Sequence, residues 1–502
     1  MSVAVQQLPR PPRKLAILWM VPLQAASLFT VWAVGSGGET LRLWMIGALL
    51  WLLSLPLLSG IEGTLIAMMM FEPVRGFLRR AQYLFVGYSD QEPIHLVTPI
   101  VTLFAVMVLL RKHRLTQLWA TPLAGWVTAL AAICFLEVFN PLQGGLYIGL
   151  TGSLFVLVPL VWFYFGQVAS ERFMHNALRL VVLLGILCSL YGVYQLMFGY
   201  PRFEQYWIEN TDFYDSIAVG HVKRAVATFS NAEEWGRYTQ LGGIIALGLA
   251  ITAKRLKARV GWLLATAATL AAVLISGQRT AVFGFMLGVM ALLMFSARNP
   301  RVAIVRVAAL LLPLVLLFVL VKAPTDDDVW SKGEDERVGA VLSHTQRGTL
   351  KPAEEDSLQI RLENWGYLIT SVIPYQPLGA GIGAGSLGDA RQHQSDLPPI
   401  DNFILVMAIT CGIPGALLFI WILLRATYLS IRTARAPDHE EPARSINLIA
   451  AAIMPALILN SVFGLTFSIY SVAPLAWLLI GWISAQAVRK TEANVERETI
   501  VI

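Results

Sequence analysis

The chain has 502 residues, of which 56% are hydrophobic and only 14% charged, and its mean hydropathy is +0.63. Soluble proteins carry about 25% charged residues, so this composition excludes an ordinary soluble protein and indicates a membrane protein with several spans. The net charge of +6 could suggest nucleic-acid binding. The basic residues, however, fall in short clusters beside apolar segments, which is how membrane topology signals are placed, so we expect no nucleic-acid partner.

Apolar segments long enough to cross a bilayer recur along the whole chain. The N-terminal stretch, MSVAVQQLPRPPRK, is polar and basic and shows no small-residue cleavage site, which predicts an uncleaved first helix. These features predict an all-α polytopic membrane protein with about 12–14 transmembrane helices. The predicted spans are 15–34, 43–71, 94–110, 118–138, 146–166, 176–198, 237–253, 260–276, 280–296, 302–322, 402–424, 447–466 and 468–487.

The segment 43–71 is too long for one straight span and short for two. Basic residues lie before the first span and again between Arg75 and Arg80, and both groups cannot be cytoplasmic if 43–71 crosses once. A tight hairpin, or an interfacial helix over Phe71 to Tyr88, would each resolve this conflict.

Basic clusters assign the sides of the membrane. The clusters at 111–114, 254–259, 298–301 and 425–435 mark cytoplasmic loops, so the loops 199–236 and 323–401 face the other side. We therefore predict three regions: an N-terminal transmembrane bundle over 1–322, a large periplasmic loop with short helices over 323–401, and C-terminal transmembrane helices with a cytoplasmic tail over 402–502. In the large loop, the acidic part 325–336 is predicted to be a solvated lid, and ordered structure is expected from about Asp356.

Common cofactor and metal motifs are missing from the sequence. Cys134, Cys188 and Cys411 each lie in an apolar run without metal-ligand or disulfide spacing, which predicts core packing. No P-loop, GxSxG or HExxH motif appears in a supporting context. We expect neither a cofactor nor a metal site.

The segment 357–415 combines features that suit a lipid-linked anionic substrate. Arg361 opens a helical stretch, glycines 379, 381 and 383 form a turn, and Asp401 stands before the next span. Glycines allow backbone N–H groups to face a ligand, and arginine binds phosphate oxygens through two hydrogen bonds. Gly379, Gly381 and Gly383 are therefore predicted to contact the anionic group together with Arg361.

Two further arginines lie where apolar spans meet the same face. Arg224 precedes the span that starts near Arg237, and Arg279 stands at the tip of a hairpin only a few residues long. An ionised side chain near the bilayer is costly unless it is paired or hydrated, and a diphosphate would pair it. The alternative for Arg224 and Arg279 is an arginine that extends to lipid phosphates, and for Arg361 a weak surface ion pair.

Two residues are candidates for the general base. Asp401 precedes a clean apolar run, so it suits a helix N-cap, but a desolvated carboxylate can also take a proton from an acceptor hydroxyl. His393, eight residues earlier, is the rival base.

The sequence resembles the O-antigen ligase and Wzy-type polysaccharide polymerase superfamily over roughly 220–485. One set of matching positions comprises Arg361, Trp365, the run Pro377 to Gly383, Asp401-Asn402 and Gly412 to Gly415. A second set comprises Arg224 with Thr228, Phe229 and Asn231, and Ser276 with Gln278-Arg279. Asp401 departs from the histidine that the ligases usually carry.

The resemblance implies a membrane glycosyltransferase (GT-C-like) of the bacterial inner membrane. Its partners would be an undecaprenyl-diphosphate-linked saccharide and the surrounding membrane lipid. Its arginines would bind the diphosphate. A polymerase would extend lipid-linked repeats, together with a chain-length regulator, whereas a ligase would transfer glycan to lipid A core. The Asp401 departure favours the polymerase. A lipid-linked saccharide flippase or another transporter is the alternative from a different class, but a transporter should carry charges deep within several spans.

Overall fold

The computed structural model describes residues 38–87, 92–211, 218–219, 222–297, 299, 301–309, 336–350, 356–384, 397–398, 400–435 and 443–500. Within these ranges the chain is helical apart from one two-stranded antiparallel hairpin and the connecting turns. The prediction of an all-α fold is confirmed. The first predicted span, 15–34, most of the span 302–322, and His393 lie outside the described residues.

The helices up to the hairpin are α1 (Gly38–Ser54), α2 (Ile61–Val86), α3 (Val97–Lys112), α4 (Leu115–Trp119), α5 (Ala124–Glu137), α6 (Leu146–Leu160), α7 (Trp162–Val168), α8 (Glu171–Phe198) and α9 (Arg202–Glu209). The strands β1 (Ala218–Val219) and β2 (Val222–Lys223) follow, and Ala218 pairs with Lys223. After them come α10 (Ala232–Thr252), α11 (Leu256–Ile275), α12 (Arg279–Ser296), α13 (Arg337–Leu350), α14 (Asp356–Tyr367), α15 (Phe403–Thr410), α16 (Gly412–Ala434), α17 (Ala443–Val462) and α18 (Ala473–Ile500).

Eight of the described helical segments are long and apolar enough to cross a membrane, which makes this a multi-pass membrane protein. They are Leu41–Leu58, Pro93–Lys112, Leu146–Val168, Glu171–Phe198, Leu256–Ile275, Arg279–Ser296, Gly412–Ala434 and Ala443–Val462. The predicted spans 118–138 and 468–487 correspond to the shorter apolar helices Ala124–Glu137 and Ala473–Val488. The predicted span 237–253 corresponds to α10. Its core-facing polar residues lower its hydropathy, so α10 is not one of the eight segments.

Helix α10 is the centre of the bundle. It packs against α8, α11, α12 and α17, and nearly every residue from Glu234 to Ala250 is buried. Because neighbouring helices cover its polar residues, α10 does not need a lipid-compatible surface. The Asn460 Nδ2 on α17 donates to Gln240 Oε1 on α10 at 2.9 Å. This bond joins the two helices and supports a packing role for Asn460.

The segment 43–71 forms a helical hairpin. Helix α1 passes into a 3₁₀ turn at Leu55–Leu58, Gly60 separates the two helices, and α2 then packs against α1. Phe71, Glu72, Arg75 and Arg80 on α2 are all buried. The segment thus contains the turn that the hairpin alternative requires, and the part of α2 from Phe71 packs against protein, while the side of the membrane that each end faces stays a prediction.

Near Pro73, a segment from elsewhere in the chain replaces one backbone hydrogen bond of helix α2. In a regular helix the Phe77 N–H would donate to the Pro73 carbonyl. Here the Thr228 hydroxyl donates to the Pro73 carbonyl (2.6 Å), and the Phe77 N–H donates to the Thr228 carbonyl (2.7 Å). Thr228 thus satisfies both backbone groups that the interruption releases, and it fixes the segment that follows Arg224 against α2.

Three buried side chains hold the same segment. Arg80 donates to the carbonyls of Ala227 and Phe229, both at 2.6 Å, and forms an ion pair with Glu204 on α9 (2.6 Å). The Gln195 side chain on α8 accepts from the Ala227 N–H (2.8 Å) and donates to Glu204 (2.9 Å). Gln195 is therefore a structural residue, and the loop before α10 has a fixed position.

The large loop contains an ordered helix earlier than predicted. Helix α13 spans Arg337–Leu350, so it begins 19 residues before the predicted start of order near Asp356. It packs on the adjacent ends of α8, α11 and α12 and on β2, and Ala340, Val341 and Thr345 are buried there. The expectation that order starts near Asp356 is thus wrong, because α13 has its own buried face.

We expect Gly76→Ala to destabilise the protein. A Cβ on Gly76 would lie 2.3–2.5 Å from the backbone of Phe229 and Ser230, so the inserted segment would have to move. Overpacking of this kind costs about 1–3 kcal/mol. The measurement is the thermal unfolding midpoint in detergent. Gly125→Ala is the matched control, since nothing lies within 4 Å of its added Cβ; equal midpoints for the two variants would contradict the close contact.

Candidate functional site

Arg279 stands at the start of α12, directly after the tight turn from α11. The Ser276 hydroxyl is buried and donates to the Val273 carbonyl (2.7 Å), and Gly277 has a φ of +69°, which favours glycine. Val341 of α13 packs over this turn, 3.2 Å from the position that a Gly277 Cβ would occupy. The turn therefore presents Arg279 at the end of the bundle that the large loop covers.

Arg224 reaches the same turn from the β-hairpin. Its Cδ lies 3.3 Å from the Cβ position of Gly277, and the Tyr200 hydroxyl donates to its carbonyl (2.5 Å). Burial lowers the pKa of the Arg224 guanidinium, and the Tyr200 phenol acts in the opposite direction. The positive charges of Arg279 and Arg361 lower this pKa further, so both lie close enough to act on Arg224.

Arg361 meets Asp401 across the large loop. The Arg361 Nε donates to Asp401 Oδ2 at 3.1 Å, and the two side chains are 37% and 40% exposed. The pair joins α14 to the segment that enters α15. Exposed ion pairs contribute at most about 1 kcal/mol, so this contact can open at little cost.

Asn402, and not Asp401, caps helix α15. The Asn402 Oδ1 accepts from the N–H groups of Ile404 (2.9 Å) and Leu405 (3.1 Å), while Asn402 itself has extended backbone angles. The N-cap alternative for Asp401 is therefore wrong, because the next residue fills that position. The Asp401 carboxylate instead faces Arg361.

A fourth arginine, Arg237, and its partner Glu233 belong to the same region, and the sequence analysis missed them. Arg237 is buried, forms an ion pair with Glu233 (2.7 Å) and donates to Thr466 and to the carbonyls of Asn460 and Phe463 (both 3.2 Å). Arg361 and Asp401 lie within electrostatic range of it. The spacing of Glu233 and Arg237, four residues apart at a helix start, was the available signal.

The glycine turn has a structural role that differs from the predicted one. Its N–H groups donate within the protein: Ala380 to the Ile409 carbonyl (2.8 Å), Ile382 to the Glu137 carbonyl (3.2 Å) and Gly383 to Gln143 Oε1 (2.9 Å). A Cβ at any of the three predicted positions, Gly379, Gly381 and Gly383, would lie 2.4–2.8 Å from neighbouring atoms. The glycines thus allow close packing against α5, α6 and α15, and the N–H of Gly383, one of the three glycines predicted to contact the anion, is bonded within the protein.

Trp365 lines the region between α14 and the end of α17. Its ring lies 5.7 Å from that of Phe463, and its buried Nε1–H has no hydrogen-bond partner within the described part of the chain. A buried donor without a partner is costly, so this indole group is suited to meet a ligand oxygen.

Other predicted motif residues position the site. Asn231 caps α10, accepting from the Glu234 N–H at 2.7 Å, and Thr228 holds α2 as described above. The structure thus brings Arg224, Arg279, Arg361 and Asp401 together, with Glu233 and Arg237 beside them. Guanidinium groups at one place can bind an anion with several oxygens, and an adjacent carboxylate can accept a proton.

We expect Asn402→Ala to lower the thermal unfolding midpoint more than Asp401→Ala does. Loss of the cap costs about 1–2 kcal/mol, whereas loss of a half-exposed ion pair costs at most about 1 kcal/mol. Both variants would be purified in the same detergent and compared with the unchanged protein. A larger fall for Asp401→Ala would place the cap at residue 401.

The comparisons with known proteins agree with these motifs. A family model described as O-Antigen ligase matches residues 264–420, which include Arg279, Arg361 and Asp401. The comparison with curated proteins gave no match. Glycosyltransferase-like ligase or polymerase activity on lipid-linked saccharides is what this family implies. The resemblance to the O-antigen ligase and Wzy-type superfamily is confirmed over residues 264–420, about a third of the chain, and the motif around Arg224 lies outside that match.

Proposed function

We propose that the protein is a polymerase of lipid-linked oligosaccharide repeats in exopolysaccharide or O-antigen synthesis. It would transfer the growing chain from undecaprenyl diphosphate to the non-reducing-end hydroxyl of a new lipid-linked unit. The observation that carries the proposal is the convergence of Arg224, Arg279 and Arg361 beside Asp401, although these residues come from segments far apart in the sequence.

The arginines suit a diphosphate because they bring several positive charges together at one place. Burial and the nearby charges of Arg279 and Arg361 lower the pKa of Arg224. A diphosphate would offset the repulsion between these charges, and the planar guanidinium groups match its oxygens. Negative charge grows on the diphosphate as the sugar–phosphate bond breaks, so the same groups would stabilise the transition state.

Asp401 would act as the general base. The acceptor hydroxyl oxygen forms the new bond to the anomeric carbon from the side opposite the leaving group, its proton passes to the Asp401 carboxylate, and the bond from the anomeric carbon to the diphosphate oxygen breaks with inversion. When the diphosphate takes Arg361 as a ligand, it competes with Asp401 for this side chain. The weak Arg361–Asp401 pair would then open and leave the carboxylate available to the acceptor.

The second candidate is a ligase that transfers glycan to lipid A core. It is supported by the description of the matching family model. Aspartate at 401, where the ligases usually carry histidine, supports the polymerase instead. In both cases we propose an inner-membrane protein whose large loop faces the periplasm, since the basic loops at 254–259 and 425–435 favour that orientation.

Arg279→Ala should abolish polymer formation and leave the protein in the membrane, and lipid-linked single repeats should accumulate. Arg279→Lys should restore activity only in part, because a point charge loses the two-pronged fit to phosphate oxygens. Polymer and single repeats would be measured in cells and with purified lipid-linked repeats. Arg259→Ala, on the neighbouring helix α11 and exposed, is the matched control. Full activity in Arg279→Ala would leave this arginine without a role in catalysis.

Asp401→Asn should keep the fold, since the cap is Asn402, but reduce turnover by roughly 10²–10⁴ if the carboxylate is the base. Asp401→His, which supplies the residue of the ligases, should regain part of that loss. The readout is the ladder of products from purified lipid-linked repeats, with lipid A core added in a parallel reaction to detect ligation. An intact ladder from Asp401→Asn together with a lost ladder from His393→Ala would transfer the base role to His393.

A further inference from the structure

A basic cavity lies at the other end of the bundle from the arginine site. Its volume is about 490 Å³, and its walls come from α8, from the end of α10, from the start of α11 and from the start of α17. Helix α10 begins at the site, next to Glu233, and ends at this cavity with Thr252. Its 21 residues correspond to about 30 Å, so the cavity is separate from the arginine site.

The charges around this cavity all have one sign. His175 and Arg179 extend from α8, and Lys254 and Arg255 extend from the turn between α10 and α11. No acidic side chain lines the cavity among the residues that the structure describes. The Nδ1 atom of His175 is buried and has no hydrogen-bond partner within the same residues. An anion would supply the partner and the countercharge.

The surroundings favour a lipid over a soluble anion. The first turn of α11 borders the cavity, and α11 exposes Leu256, Val260 and Leu264 on the outside of the bundle. Because α11 is long and apolar enough to cross the membrane, these side chains would face acyl chains. A phosphate group at the basic cavity therefore lies beside an apolar surface that suits its hydrocarbon tails.

We propose that this cavity binds the phosphate group of an anionic phospholipid of the adjacent leaflet. Basic pockets between transmembrane helices are known to accept such head groups. The guanidinium groups of Arg179 and Arg255 would contact the phosphate oxygens, and the His175 Nδ1–H would donate a hydrogen bond to the same oxygens. The proposal does not depend on the reaction performed at the arginine site.

The test measures lipid retention by native mass spectrometry. The full-length protein would be reconstituted with equal amounts of phosphatidylglycerol and phosphatidylcholine, released into detergent and scored for bound lipid. We expect preferential retention of phosphatidylglycerol, and the variant Arg179→Gln/Arg255→Gln should reduce it by roughly fivefold for each charge removed.

The matched control is Arg172→Gln/Arg259→Gln. It removes one exposed arginine from α8 and one from the first turn of α11, and neither residue lines the cavity. Its retention of phosphatidylglycerol should stay within about twofold of the unchanged protein. Charges outside the cavity do not contact the lipid phosphate, and dissolved salt screens their attraction to it. Equal losses in the two double variants would overturn the proposal in favour of general surface charge.

A second arm distinguishes a lipid from free phosphate. Inorganic phosphate would be added to protein in phosphatidylcholine alone, and the thermal unfolding midpoint would be compared with that in phosphatidylglycerol. We expect phosphatidylglycerol to raise the midpoint of the unchanged protein and not that of Arg179→Gln/Arg255→Gln. An equal rise with inorganic phosphate would overturn the assignment to a lipid.

Discussion

The insertion of Thr228 into α2 is the contact on which the site depends. In a regular helix the Phe77 N–H would donate to the Pro73 carbonyl, and backbone groups buried in a bilayer protein must find partners within the protein when such a bond is not made. Thr228 supplies both the donor and the acceptor that the interruption requires. Because Arg224 lies four residues earlier on the same segment, this contact also sets the position of Arg224, which we propose binds the diphosphate. Gly76 allows this approach, since no side chain stands between α2 and the inserted backbone.

Buried ion pairs extend the same arrangement behind the site. Arg75 on α2 is paired with Glu72 (2.9 Å), lies 3.9 Å from Glu234 of α10 and stacks over the Tyr470 ring at 5.6 Å. Glu234 also accepts from the Ser230 N–H (3.0 Å), so one carboxylate links the inserted segment to α2. A buried charge that loses its partner costs about 3–5 kcal/mol. These pairs therefore fix the relative position of α2 and α10, whatever their net contribution to stability.

The sequence predicted the residue types at the site better than their contacts. Arg224, Arg279, Arg361 and Asp401 could be selected because charge beside apolar spans is costly and rare. The choice between Asp401 and Asn402 as the cap could not be made, since both residue types cap helices and only the backbone angles decide. The glycine spacing indicated a turn, but the partners of its N–H groups come from Glu137, Gln143 and Ile409, which no local pattern connects to it.

Among the described residues of the site, the Arg237–Glu233 and Arg361–Asp401 ion pairs differ in how easily their partners separate. Arg237 is 2% exposed, and its hydrogen bonds to the segment 460–466 leave it little freedom, so separation from Glu233 would strand a buried charge. Arg361 and Asp401 are each more than a third exposed, and water can replace their contact at a cost of at most about 1 kcal/mol. Charge–diphosphate contacts are stronger than an exposed ion pair of this kind. In the proposed reaction, an incoming diphosphate would therefore take Arg361 from Asp401 without disturbing the Arg237–Glu233 pair, and binding of the donor would thereby release the carboxylate.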